Sequence, residues 1–183
     1  MIDRKFAFVA PVALALSLGA CGWFGGGSSS TADVVPYCPA PLTVQDAERL
    51  THFKDGPGRD PRDIAYEAVL AGSRTTCELG RRQLSVTLFM RISVTAGPSV
   101  GAGTTRVPYF VRVIDGNGTV VQGQEFTADF RLTSSSPRGS SQEELALQLP
   151  YNQISDLGGY RIAVGLKPTQ DELNYNRRAA GRQ

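Results

Sequence analysis

The chain has 183 residues, 41% of them hydrophobic, and a formal net charge of +2, enough for one globular domain and too little for a multidomain enzyme. Its 19 basic side chains stand against 17 acidic ones, so no basic field exists and nucleic acid is not an expected partner. A single histidine, His52, and three cysteines nearly exclude constellations built from several His or from paired Cys and His ligands, and no metal or cofactor is expected.

The first residues read as a processing signal. Arg4 and Lys5 give a positive start, and Phe6 to Leu18 is apolar apart from Pro11 and Ser17. That run is shorter than the about 20 residues of a membrane-spanning helix, so residues 1–20 are expected to be a secretory signal peptide. The run ends in Leu18-Gly19-Ala20-Cys21, which resembles the lipobox of bacterial lipoproteins. The resemblance implies that Cys21 becomes the first mature residue, with diacylglycerol on its sulfur and a further acyl chain on its amine. Each buried CH2 of those chains is worth about 0.8 kcal/mol of membrane anchoring. Gly22 stands where lipoproteins retained in the inner membrane of Gram-negative bacteria have Asp, which implies an outer-membrane anchor facing the periplasm. Trp23 and Phe24 suit the headgroup level. The Gly and Ser residues that follow form a flexible tether, so 21–33 is a linker with a reach of roughly 15–20 Å. Residues 34–176 are expected to be the folded domain and 177–183 a basic, disordered tail.

With Cys21 consumed by lipid, Cys38 and Cys77 are the remaining thiols in the oxidising compartment that the signal implies. A structural disulfide is expected. Closing a loop of about 40 residues removes about 4 kcal/mol of unfolded-state entropy on the chain-entropy model.

Thr43 to Asp46 is compatible with one or two helical turns. The rest of the domain alternates with period two. Ile64 to Cys77 reads as a strand ending at Cys77, Gly80-Arg81-Arg82 as a turn, and Leu84 to Val94 as a half-buried strand with every even position apolar. Val107 to Ile114 and Thr119 to Leu132 should pair antiparallel across Asp115-Gly116-Asn117-Gly118, residue types that tolerate positive φ. The same turn fails as a calcium loop, since Val120 and Phe126 occupy the places of the required Gly and Glu. Thr133 to Ser141 reads as a surface loop or hairpin tip, followed by alternating strands at Leu145 to Leu149 and Tyr160 to Leu166. Thr169-Gln170-Asp171-Glu172 is a capping box opening a short C-terminal helix.

Asp156-Leu157-Gly158-Gly159-Tyr160 resembles the tyrosine corner of immunoglobulin-like sandwiches, which implies a Tyr160 hydroxyl bonded back to the backbone across a crossover between sheets. The alternative is a plain Gly-rich turn before a strand. The fold expected is an all-β, single antiparallel, immunoglobulin-like sandwich with that short helix.

No motif places a catalytic group. His52 reads as a surface or boundary residue, and Asp55, Asp60 and Asp63 stand among arginines and prolines as in a self-paired surface loop. The mature region resembles the small β-domain lipoproteins of Gram-negative bacteria at its Cys38-Pro39 start and its Leu173-to-Arg177 end. The function expected is a non-enzymatic envelope lipoprotein, bound to the membrane through its lipid and to an envelope protein assembly through its domain. The alternative is a module for a small ligand or a cell-wall glycan. Pro108 cannot donate to a ladder, so its strand is expected at a sheet edge or its Pro at the strand start. Of the adjacent Tyr109, Phe110 and Val111, one must face away from the core, either under the 97–106 loop or as a partner surface.

Overall fold

From Leu84 to Val94 every even-numbered side chain is buried, so the period-two pattern is a strand with one face on the core. The structure, a computed structural model, describes residues 37–181. The expected signal segment, Cys21 and the expected linker lie outside the described residues. In chain order the strands are β1 (Pro41–Thr43), β2 (Arg49–Phe53), β3 (Ile64–Gly80), β4 (Gln83–Ala96), β5 (Thr104–Ile114), β6 (Val120–Arg131), β7 (Arg138–Pro150) and β8 (Arg161–Leu166). One helix, α1 (Gln170–Ala179), follows them.

Two four-stranded sheets face each other, in the orders β1-β8-β5-β6 and β2-β3-β4-β7. All pairings are antiparallel except that of β1 with β8. This is the expected all-β sandwich with a short C-terminal helix. It is immunoglobulin-like in its two packed layers and its tyrosine-pinned crossover, while the chain visits its strands in an order of its own. The core between the sheets is one cluster, with Leu84, Leu88 and Ile92 of β4 meeting Val107, Val111 and Val164 of the other layer. Each such side chain, removed from water, stabilises the fold by about 1.5–3 kcal/mol.

Local chemistry explains the hairpins. Asp115 Oδ1 accepts from the backbone N–H of Asn117 and Thr119, each at 2.9 Å, and Gly118 supplies the left-handed residue at φ 83°. In the β3–β4 hairpin Gly80 pairs with Gln83, so β3 runs past Cys77, which pairs with Val86 inside the ladder. The expected strand end at Cys77 is corrected: the turn needs only Arg81 and Arg82, and Arg82 takes positive φ.

Other boundaries also differ from expectation. Thr43 closes β1, and Val44 to Ala47 make a turn, with Asp46 at φ 65° in place of a helix. β7 begins at Arg138 because Ser140 and Ser141 pair with Ser93 and Ile92 of β4, so the polar loop is shorter than its composition suggests. Arg177 and Arg178, assigned to a disordered tail, are helical, and Arg177 Nε donates to Asp46 Oδ2 at 3.0 Å.

Three tyrosine hydroxyls tie the layers together. Tyr66 of β3 donates to Arg106 O of β5 at 2.6 Å, and Tyr109 of β5 to Glu143 Oε2 of β7 at 2.8 Å. Tyr160 donates to Pro150 O at 2.9 Å, the back-bond expected of a tyrosine corner, and pins the crossover from β7 to β8. The Cys38–Cys77 bond, with Cα atoms 5.7 Å apart, is a covalent tie of the segment before β1 to β3.

Candidate functional site

Two features stand out: a cleft at one end of the sandwich and an unequal set of sheet edges. The cleft, about 730 Å³, opens where β2 ends, β5 starts and α1 begins. Its centre is built by the capping box of α1. Thr169 Oγ1 accepts from the Glu172 N–H at 3.4 Å, and Glu172 Oε2 accepts from the Thr169 N–H at 2.7 Å. The second carboxylate oxygen, Oε1, lies 2.7 Å from His52 Nδ1 of β2. A carboxylate only accepts, so the imidazole nitrogen facing it carries the proton.

The two partners are unequally exposed: the His52 side chain is 44% accessible and that of Glu172 is 7%. Burial alone would raise the Glu172 carboxyl. Hydrogen bonds from His52 and from the backbone and hydroxyl of Thr169, with the His52 charge, outweigh it and hold the group below its ordinary value. His52 stacks on Tyr66, its register partner on β3, with ring centroids 4.8 Å apart. Burial, and to a lesser degree the charge of Glu172, push the Tyr66 phenol well up, so it stays a hydrogen-bond donor.

His52 is therefore a boundary residue, as expected, but with a fixed orientation. Capping-box spacing was visible in the sequence. The His52 contact, between residues 120 positions apart, carried no local signal.

The acids weighed as catalytic groups form a self-paired loop. Asp60 Oδ1 accepts from Arg62 N and Nε, and Asp63 Oδ1 lies 2.8 Å from Lys54 Nζ. These pairings hold both carboxyls below their usual range, through Arg62 at Asp60 and Lys54 at Asp63. Arg59 reaches Asp171 of α1 at 3.1 Å. Among the described residues no three His, Cys, Asp or Glu side chains group as metal ligands.

The segment singled out as a partner surface is placed differently from expectation. β5 is interior, laddered to β6 on one side and β8 on the other, which corrects the edge placement. Pro108 is tolerated because the β8 ladder starts only at Tyr109, and Lys167 N–H donates to Pro108 O just beyond it. Tyr109 and Val111 are buried in the core. Phe110 is the residue that faces outward, half-buried, but its ring lies on the Gly165 backbone of β8. A Cβ at Gly165 would come within 2.9 Å of Phe110 Cζ and 2.7 Å of Ala47 Cβ, so glycine is required there.

The true edges are β1, β6, β2 and β7. β1 has three residues and begins with a proline. The edge of β2 is covered by α1, where Asn176 Nδ2 donates to Arg49 O at 3.0 Å and Tyr175 packs edge-on against Phe53. β7 carries Glu143 and Glu144 near its middle and Pro150 at its end. β6 runs for 12 residues without a proline, with a bulge at its start that leaves Val121 out of the pairing.

The register also fixes which β6 groups are free. Pro108 O points to the β8 side, so Pro108 and its partner Thr127 form a non-hydrogen-bonded pair, and the Thr127 N–H and C=O face the open edge. No known family model matches the chain, and no curated protein sequence matches it.

Proposed function

We propose that the chain is a non-enzymatic cell-envelope lipoprotein, held to the outer membrane by lipid on Cys21, whose sandwich binds an extended strand of an envelope protein at the β6 edge. The observation that supports this reading is the inequality of the four edges. Two are blunted by shortness or by α1 and a third ends in Pro150, while β6, which carries Glu125, Asp129 and Arg131, has no proline and keeps a row of backbone donors and acceptors open. Cys21 and a Gly/Ser tether would let such a domain reach a partner near the membrane without fixing its orientation.

Crosslinking in intact membranes followed by mass spectrometry tests the reading. A wild-type crosslink to an envelope protein that disappears in Thr127→Pro, with the fold retained by circular dichroism, supports it. A crosslink unchanged by Thr127→Pro removes the strand-addition reading.

A second reading, a module for a small ligand or a cell-wall glycan, is favoured by the His52 cleft. Its volume falls in the range of small-molecule sites, about 300–1,000 Å³.

A further inference from the structure

The His52 cleft can be read for the chemistry of its ligand, an inference that rests on the second reading above. Glu172 is the one charged side chain buried among the described residues. A buried carboxylate is costly unless its oxygens are satisfied, and here both are, by Thr169 N–H and His52 Nδ1. The consequence falls on the imidazole. With Nδ1 committed to Glu172, Nε2 is the free nitrogen, and it has no hydrogen-bond partner among the described residues. One face of the ring is backed by Tyr66, whose own hydroxyl is fixed on Arg106 O. The result is a held aromatic plate lining the cleft, with one ring nitrogen outside the Glu172 pair.

The charges around it decide the ligand class. The cleft lysines are already matched: Lys54 with Asp63, and Lys167 with Glu125, which also takes Arg112. The remaining lining charges, Arg106 and Asp55, have opposite signs. An anion would meet one cation outside the ion pairs, Arg106, and no cluster of them, and any second cation would have to come from an existing pair. A neutral ligand rich in hydroxyls has no such cost, because paired ions still offer spare donors and acceptors. The hydroxyls of Thr104 and Thr105 line the same wall.

We propose that this cleft is a binding site for a neutral, hydroxyl-rich ligand of the sugar class, laid on the His52 ring with one hydroxyl hydrogen-bonded to Nε2, since a hydroxyl can accept as well as donate.

The single histidine makes the test direct, since its imidazole resonances need no assignment among others. The full chain in detergent micelles is titrated with chitotriose and, separately, with inorganic phosphate at matched ionic strength and pH, while the His52 ring signals are followed by NMR. A saturable shift with chitotriose and none with phosphate is the expected result. His52→Gln, which keeps a donor for Glu172 but removes the ring, is expected to weaken chitotriose binding about tenfold by calorimetry with the circular dichroism spectrum unchanged. A saturable shift with phosphate alone overturns the neutral-ligand assignment and leaves the cleft as a ligand site. No shift with either probe overturns both. Chitotriose binding with full affinity in a folded His52→Gln also overturns the assignment, because the sugar then sits elsewhere.

Discussion

The Tyr160 hydroxyl donates to the Pro150 carbonyl at 2.9 Å, joining the first residue after the 3₁₀ segment Ile154–Gly159 to the last residue of β7. The bond spans the crossover between the sheets and is solvent-accessible. Tyr160→Phe should therefore cost only a typical net hydrogen bond, about 1 kcal/mol. Tyr66→Phe should cost more, about 1–3 kcal/mol, because the Tyr66 side chain is buried and the change deprives Arg106 O of its donor. Urea denaturation of both variants checks the order; equal losses would mean that the inter-sheet position of Tyr66 adds nothing.

The Glu172 carboxyl is held below its ordinary value, so its contribution to stability is present above the unfolded-state value, about 4.3, and is lost as pH falls through the folded-state value. Wild-type stability should accordingly decline as pH falls below about 5. Glu172→Gln, which cannot titrate, should show a shallower decline over that window and a lower stability at neutral pH. Urea midpoints measured across the window decide this. Parallel curves for the two proteins would detach Glu172 from the acid loss.

How much of this was legible in the sequence depends on how local each cause is. The β4 alternation, the Asp115-to-Gly118 turn and the α1 capping box are written within a few residues each, and all three are found where expected. β2 was not legible. Leu50, Thr51 and Phe53 are its buried residues, and a register shift between His52 and Phe53 breaks the period. The placement of β5 was misjudged because Pro108 signals a missing donor but does not say which side of the strand loses it. That depends on where β8 ends, some sixty residues later. The cleft was invisible for the same reason, since His52, Tyr66, Arg106 and Glu172 are joined only by tertiary structure.

Gly165 has no room for a side chain. An added Cβ would lie 2.7 Å from Ala47 Cβ and 2.9 Å from Phe110 Cζ. Gly165→Ala should destabilise the fold by about 1–3 kcal/mol, the usual cost of overpacking. Phe110→Ala in the same chain should restore only part of the loss, because the Ala47 contact stays. A double-mutant cycle measures the coupling; additive losses would show that the Phe110 ring gives way freely.

The Cys38–Cys77 bond closes a loop of sequence separation 39. Replacing both cysteines by alanine should cost about 4 kcal/mol on the chain-entropy model. Thiol titration of the unreduced, denatured mature chain should find neither Cys38 nor Cys77 free. Two titratable thiols would refute the bridge in the native protein.

The docking edge and the outer face of β5 make different predictions for a partner contact. Thr127 presents its N–H to the open side of β6, so Thr127→Pro removes a donor that an added strand would use, while the ladder to β5 is untouched. Phe110 stands on the outer face of the neighbouring strand, opposite Glu125 of β6, and its half-buried ring lies against Gly165. Phe110→Glu should leave the domain folded but less stable, since one ring edge faces solvent and the charge can reach water. If the partner adds a strand, the membrane crosslink is lost in Thr127→Pro and kept in Phe110→Glu. The opposite pattern, loss in folded Phe110→Glu and retention in Thr127→Pro, places the contact on the sheet face. In that case backbone pairing contributes nothing, because the donor that β6 offers at Thr127 could be deleted without consequence.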